Sequence, residues 1–146
     1  MKDEYTNAFY GLVKETQVTS GYELPEHLEA YIVMLLSSFV DKTEYLPESS
    51  FAEAYLKLQR PATLSAKELG DTCLFVSGVF PAYGKKHGIN RRYYQDIGIG
   101  SYELMSEYIH KDLFTELARH FLFLSDFIEI TTNRSGGKSV ELFNSF

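Results

Sequence analysis

Apolar residues recur along this chain mainly three and four positions apart, the period of an α-helix with one buried face. The spacing predicts a first helix over about residues 3–17, with Tyr5, Phe9, Leu12 and Val13 on one side and a break at Ser20-Gly21. Pro25 suits a first helical turn. The run Leu28, Ile32, Leu35, Leu36 and Phe39, broadened by Val33, Met34 and Val40, predicts a central second helix. Two capping boxes follow, Ser50-x-x-Glu53 and Ser65-x-x-Glu68, each announcing a helix start. The helix after Ser50 is expected to stop at Pro61. The helix after Ser65 holds Leu69, Cys73, Leu74, Phe75, Val76, Val79 and Phe80 and is apolar nearly all round. Such a helix is expected to be buried. Gly70, Ser77 and Gly78 leave room on it for a close neighbour, and Pro81 ends it.

Asn90 is placed to cap a fifth helix, with Tyr94, Ile97, Leu104, Met105 and Tyr108 facing inward. A last long helix is predicted over about residues 111–129, on the stripe Leu113, Leu117, Phe121, Leu124 and Ile128. The pattern therefore predicts an all-α fold, an irregular bundle of about six helices. It divides the chain into a helical domain over residues 1–130 and a C-terminal tail over residues 131–146. That tail is poorly defined, or forms a short hairpin with Ile130-Thr-Thr and Ser139-Val-Glu-Leu-Phe143 as its arms.

Composition narrows the class. The chain has 146 residues, 45% apolar and 23% charged, which suits one globular domain. Eleven Phe and eleven Tyr imply a core rich in rings. The single cysteine, Cys73, rules out an intramolecular disulfide, and the N-terminus lacks a signal-peptide stretch. No apolar run approaches the ~20 residues of a membrane span. The expectation is a cytoplasmic protein of a reducing compartment, with no membrane association. Net charge is −6, all of it in residues 1–59, which carry four basic and ten acidic side chains, whereas residues 60–146 carry ten of each. An acidic chain lacks the basic surface that nucleic acid requires, so no nucleic-acid partner is expected.

The stretch Leu69-Gly-Asp-Thr-Cys-Leu-Phe-Val-Ser-Gly-Val-Phe80, then Tyr93-Tyr94, then Ile97-Gly-Ile-Gly-Ser-Tyr102 resembles a family of uncharacterised bacterial helical proteins. That family shares a pattern of Gly-Asp, Val-Ser-Gly-x-Phe, Tyr-Tyr and Gly-x-x-Ser-Tyr. The resemblance covers about residues 24–109. It implies a bacterial origin and assigns no functional residues.

Candidate chemistry is sparse. Glu107-x-x-His110 has the spacing of a bundle metal motif, but two copies and further glutamates are needed. Glu116 and His120 have a different spacing, so no metal and no cofactor is expected. Ser135-Gly-Gly-Lys-Ser139 resembles the end of a phosphate loop without its upstream glycine or strand. No catalytic constellation can be assembled. Lys85-Lys-His-Gly-Ile-Asn-Arg-Arg92 puts four permanent cations into eight residues of an acidic chain. The segment is either paired with the acidic N-terminal half, within one subunit or across a dimer, or is an anion or partner site. The candidate ligand or anion residues are Lys85, Lys86, Arg91, Arg92, Asp71, Tyr94 and Tyr102. The preferred function is a non-enzymatic protein-interaction or regulatory protein. Two nearly all-apolar helices in a small chain point to a homodimer. The alternative is a protein that binds a small anionic or aromatic ligand between helices, and an enzyme ranks third.

Overall fold

A computed structural model describes residues 2–40, 50–58, 64–133 and Phe143. The fold is all-α, as the periodicity predicts. Among the described residues there are seven α-helices and one 3-10 turn: α1 (Lys2–Ser20), α2 (Glu26–Ser38), α3 (Phe51–Leu56), α4 (Leu64–Val79), the 3-10 turn Lys85–His87, α5 (Arg91–Ser106), α6 (Lys111–Arg119) and α7 (Phe121–Asn133). They fall into two compact units, Met1–Thr43 with Asp126–Phe146, and Glu44–Ser125.

In the first unit α1 packs on α2. Phe9, Val13 and Thr16 recur along α1 at helical spacing and are fully buried, as are Leu28, Ile32, Leu36 and Phe39. α1 runs to Ser20, beyond the expected end. Thr16 and Thr19 donate their hydroxyls to the carbonyls of Leu12 and Glu15, four residues back, which a helix accommodates. Gly21 then takes φ +78°, a left-handed conformation in which only glycine is unstrained, and its N–H closes on the Gln17 carbonyl. Met34 is 68% exposed and does not join the core face. It lies two residues after Ile32, about 200° around a helix of 3.6 residues per turn, so it points away from that stripe.

The C-terminal half of α7 belongs to the same unit. Ile130, Thr131 and Thr132, one arm of the expected hairpin, are helical. The hydroxyls of Thr131 and Thr132 donate to the carbonyls of Phe127 and Ile128, so two β-branched polar residues are buried in a helix with their hydrogen bonds made. The Thr131 hydroxyl also lies 2.9 Å from the Thr16 hydroxyl oxygen, which shares the single Thr131 proton with the Phe127 carbonyl, and the ring of Phe143 stacks on Phe9 with centroids 5.8 Å apart. The other hairpin arm, Phe143 excepted, and the Ser135–Ser139 segment lie outside the described residues.

In the second unit α4 packs along α5, and α5 packs along α6. Residues Leu69, Cys73, Leu74, Phe75, Val76 and Val79 are all buried, so α4 is buried nearly all round, as expected. The Ser50 hydroxyl caps α3 through the Glu53 N–H, and the Asn90 carboxamide caps α5 through the Tyr93 N–H. Ser65 is different: α4 already begins at Leu64, so Ser65 stands inside its first turn rather than ahead of it. The close α4–α5 approach depends on Gly70 and Gly98. A methyl group at Gly70 would meet the buried Tyr102 ring at 2.6 Å, and one at Gly98 would meet Phe121 and Cys73.

The predicted helix over residues 111–129 is two helices. His120 leaves helical geometry at φ −102° and ends α6, and its carbonyl then accepts the Leu124 N–H in α7. The expected inward stripe of α5 also stops early. The helix ends at Ser106, so Tyr108 lies beyond it and is partly exposed. Among the described residues no helix is long and apolar enough to cross a membrane.

Candidate functional site

α4 and α5 are joined by residues 80–90, a connection shaped by two glycines. Gly84 (φ +86°) and Gly88 (φ +72°) flank the 3-10 turn in left-handed geometry, and the Gly84 carbonyl accepts the N–H groups of both His87 and Ile89. This loop carries Lys85 and Lys86, two of the four candidate cations, and forms the wall of two open clefts.

The first cleft, about 500 Å³, lies between α3, the loop and the start of α5. Its walls are rings. Phe51 meets Tyr94 edge-on at 5.0 Å, Tyr83 meets Tyr94 at 5.5 Å, and Tyr93 meets Tyr94 at 5.0 Å and 90°. Ala82 and Ile89 add apolar surface, and Lys86 and His87 bring nitrogen groups to it. Each ring has a local reason to be there. Phe51 opens α3 directly after its cap. Tyr93 accepts the Ala52 N–H through its phenol oxygen at 2.9 Å, tying α3 to α5. Tyr94 heads the buried stripe Tyr94, Gly98, Tyr102 and Met105 on α5. Burial pushes the Tyr94 phenol up from its usual range, and the neighbouring phenols of Tyr83 and Tyr93 add to this, so it stays a neutral hydrogen-bonding group.

The second cleft, also about 500 Å³, lies against the same loop and is lined by Pro81, Ala82, Lys85, Gly88, Ile89, Asn90 and Arg91. Arg91 is half-buried, and its Nε donates to the Ser77 carbonyl at 2.7 Å. That carbonyl is in the last turn of α4, where helix carbonyls lack partners within the helix and the dipole favours a cation. Arg92 faces elsewhere. It pairs with Asp96 one turn along α5 at 2.7 Å, both side chains being 59% exposed, the kind of ion pair that contributes only ~0–1 kcal/mol.

Asp71 and Tyr102 form a separate group. The Tyr102 hydroxyl donates to Asp71 Oδ1 at 2.6 Å, and Lys67 donates to Oδ2 at 2.7 Å. Tyr102 is fully buried and packs against Phe114 and Phe121. Eleven residues of α5 separate it from Arg91, about 16 Å at 1.5 Å per residue. The seven sequence candidates therefore divide into three groups: Asp71 with Tyr102, Tyr94 with Lys86 at the aromatic cleft, and Lys85 with Arg91 at the second cleft, while Arg92 stands on the exposed face of α5. Phe51, Tyr83, His87 and Tyr93 were not among the candidates. The adjacent tyrosines beside a glycine-bounded cationic loop were the signal for them.

The first unit has its own polar cluster, which the sequence reading missed. Glu29 is buried, accepts Lys14 Nζ at 2.9 Å and Gln17 Nε2 at 2.5 Å, and Gln17 Oε1 in turn accepts the Leu24 N–H. Burial pushes the Glu29 carboxyl up, but the hydrogen bonds from Lys14 and Gln17 outweigh this and hold it below its usual value. Lys14 also lies over the Tyr10 ring, 5.4 Å from its centroid.

The remaining motifs come apart. Glu107 is the residue after α5, and His110 takes φ +46° ahead of α6, so the Glu-x-x-His motif does not share one helical face. Among the described residues no three His, Cys, Asp or Glu side chains are grouped to hold a metal ion. Cys73 is fully buried, and burial raises its thiol far above the range in which it would ionise. No protein family, curated protein or solved structure matches this chain.

Proposed function

We propose that this protein binds a small planar aromatic ligand bearing a negative charge, in the cleft walled by Phe51, Tyr83, Tyr93 and Tyr94. The observation that carries this reading is the lining itself: edge-on rings with Lys86 and His87 beside them. A cleft of about 500 Å³ has the size of a small-molecule site, and few placed polar groups on an apolar wall are what such sites use. Rings supply area and edge-to-face contacts. The Lys86 ammonium selects for an anionic substituent.

Amide shifts of the labelled protein, titrated with benzoate and indole-3-acetate against neutral benzamide, test the reading. Saturable shifts at Gly84, His87 and Ile89 that favour the acids, weakened by Lys86→Glu, are expected. No saturable shift there with any aromatic acid would overturn it.

A second reading is protein interaction or self-association, favoured by large apolar side chains left in solvent: Val18 (81% exposed), Met34 and Leu56. Light scattering decides it. A homodimer gives about twice 16.7 kDa, and the monomer mass refutes it. Either reading suits a bacterial, cytoplasmic protein with a reduced, inert Cys73.

A further inference from the structure

The three tyrosines of α5 differ in what their hydroxyls do. Tyr93 accepts the Ala52 N–H, and Tyr102 donates to Asp71. Tyr94 is only 3% exposed, yet no group among the described residues pairs with its hydroxyl. Leaving a buried donor unmade is costly, so such groups normally find a partner. The oxygen is not sealed in, and Tyr94 lines the aromatic cleft but not the aliphatic one, so its opening to solvent is the aromatic cleft. Gly84 fixes where the hydroxyl stands. A side chain at Gly84 would collide with the Tyr94 hydroxyl oxygen, so that oxygen lies against the turn that carries Lys86. Two residues of chain reach at most about 7 Å, which puts the hydroxyl and the base of Lys86 on the same side of the cleft.

We propose that the Tyr94 hydroxyl is the specificity-determining donor of the aromatic cleft, hydrogen bonding to the carboxylate of the bound aromatic acid while Lys86 supplies the counter-charge. This inference rests on the aromatic-acid reading above and names the residue that reads the acid group. A planar ligand that fills the cleft displaces the water serving the hydroxyl. A carboxylate takes its place, since it is acceptor-only and has two oxygens to share between Tyr94 and Lys86. A ligand with a methyl group there leaves the donor unpaired. A site built to hydrogen bond its ligand rejects an analogue without the matching group far more strongly than an apolar wall rejects a change of size. Lys86 alone would favour any anion, whereas the phenol adds a direction.

The test compares the full, isotope-labelled chain with its Tyr94→Phe variant and follows the amides of Gly84, His87 and Ile89. The variant loses one oxygen and no bond within the fold, so its melting temperature is expected to equal or exceed that of the parent. Benzoate is expected to bind the variant about tenfold or more weakly, the fold-change of one hydrogen bond to a charged acceptor. Toluene, a near match in shape without an acceptor, is expected to bind both proteins alike or to prefer the variant. Lys86→Glu, at an exposed position, is expected to weaken benzoate and spare toluene. Benzoate binding that weakens with Lys86→Glu but not with Tyr94→Phe overturns the role of Tyr94 and leaves the aromatic-acid reading standing. No saturable shift with any aromatic acid overturns both. Equal losses of benzoate and toluene in Tyr94→Phe, or a lower melting temperature, would assign the hydroxyl to packing and overturn the proposal.

Discussion

Gly98→Ala is the sharpest test of how α4 and α5 pack. A methyl group built at this position stands 2.5 Å from Phe121 Cε2, still closer to Phe121 Cζ, and 2.9 Å from Cys73 Cβ. Carbon atoms in contact prefer separations of about 3.5–4.0 Å, so the shortfall is about 1 Å on one side and more than half that on the other. Neither neighbour has room to move: Phe121 and Cys73 are both fully buried, and the Cys73 Cβ is fixed to the α4 backbone. Overpacking of this kind costs about 1–3 kcal/mol and occasionally more, and two rigid neighbours place it near the top of that range. Against it stands the gain of about 1 kcal/mol from replacing glycine by alanine inside a helix. The net expectation is a loss of about 2 kcal/mol, or roughly 4–8 °C in Tm for a chain of this size. Urea denaturation followed by far-ultraviolet circular dichroism gives the value. Gly11→Ala is the matched control, since a methyl there meets nothing within 4 Å and Gly11 lies exposed inside α1. It should stabilise by about 0.5–1 kcal/mol. Phe121→Leu combined with Gly98→Ala should recover part of the loss, because the leucine vacates the space the methyl needs. If Gly98→Ala stabilises the protein as Gly11→Ala does, the close α4–α5 crossing is wrong.

Three further outcomes follow from the polar contacts. The Glu29 carboxyl has a depressed pKa, so its contribution to stability is fully present above the ordinary carboxylate value and is lost as pH falls through the lower, folded value; Glu29→Gln should flatten this part of an acid-unfolding profile, and an unchanged profile would refute the Lys14–Glu29–Gln17 linkage. Tyr102→Phe deletes a buried hydroxyl bound to a carboxylate and should cost about 1.5–3 kcal/mol, less when Asp71 is already Asn, and strict additivity in that double-mutant cycle would show that the 2.6 Å bond contributes nothing. Arg91→Ala should lower stability by about 1–3 kcal/mol through the unpaired Ser77 carbonyl, and Arg92→Ala by less than about 0.5 kcal/mol, with equal effects in thermal melts ruling out the division of roles.

Most helices were legible because a buried face repeats every 3.6 residues, and capping side chains marked the starts of α3 and α5. Continuity was less legible. The stripe Leu113, Leu117, Phe121, Leu124 and Ile128 runs unbroken across His120, because one non-helical residue between α6 and α7 leaves the apolar positions at spacings of three and four. An apolar stripe reports which face is buried, not whether the backbone hydrogen bonds run on beneath it. The Ile130-Thr-Thr segment failed for a related reason. β-branched residues favour strands when considered singly, but a threonine hydroxyl can also bond back to a helix carbonyl, and which outcome wins depends on whether a helix already precedes it.

The site was legible as a region and not as an arrangement. Charge density located the loop between α4 and α5, yet it treated Arg91 and Arg92 as a pair. Adjacent residues on a helix point about 100° apart, so one guanidinium turns in to the end of α4 while the other lies on the surface with Asp96. The same geometry separates the lysines. In a 3-10 turn successive side chains are about 120° apart, and Lys85 lines the aliphatic cleft while Lys86 lines the aromatic one. Glu29 could have been found: it shares the spacing of Val33 and Leu36, and a carboxylate on an apolar stripe must have partners to be buried. Its partners, Lys14 and Gln17, come from the facing helix, and nothing in their own surroundings marks them. The loop glycines carry the remaining information. Gly84 and Gly88 hold positive φ at both ends of the cationic turn, and that geometry presents two neighbouring lysines to two different chemistries. A charge run read as one patch is, after folding, the shared rim of two clefts, one walled by rings and the other by aliphatic side chains.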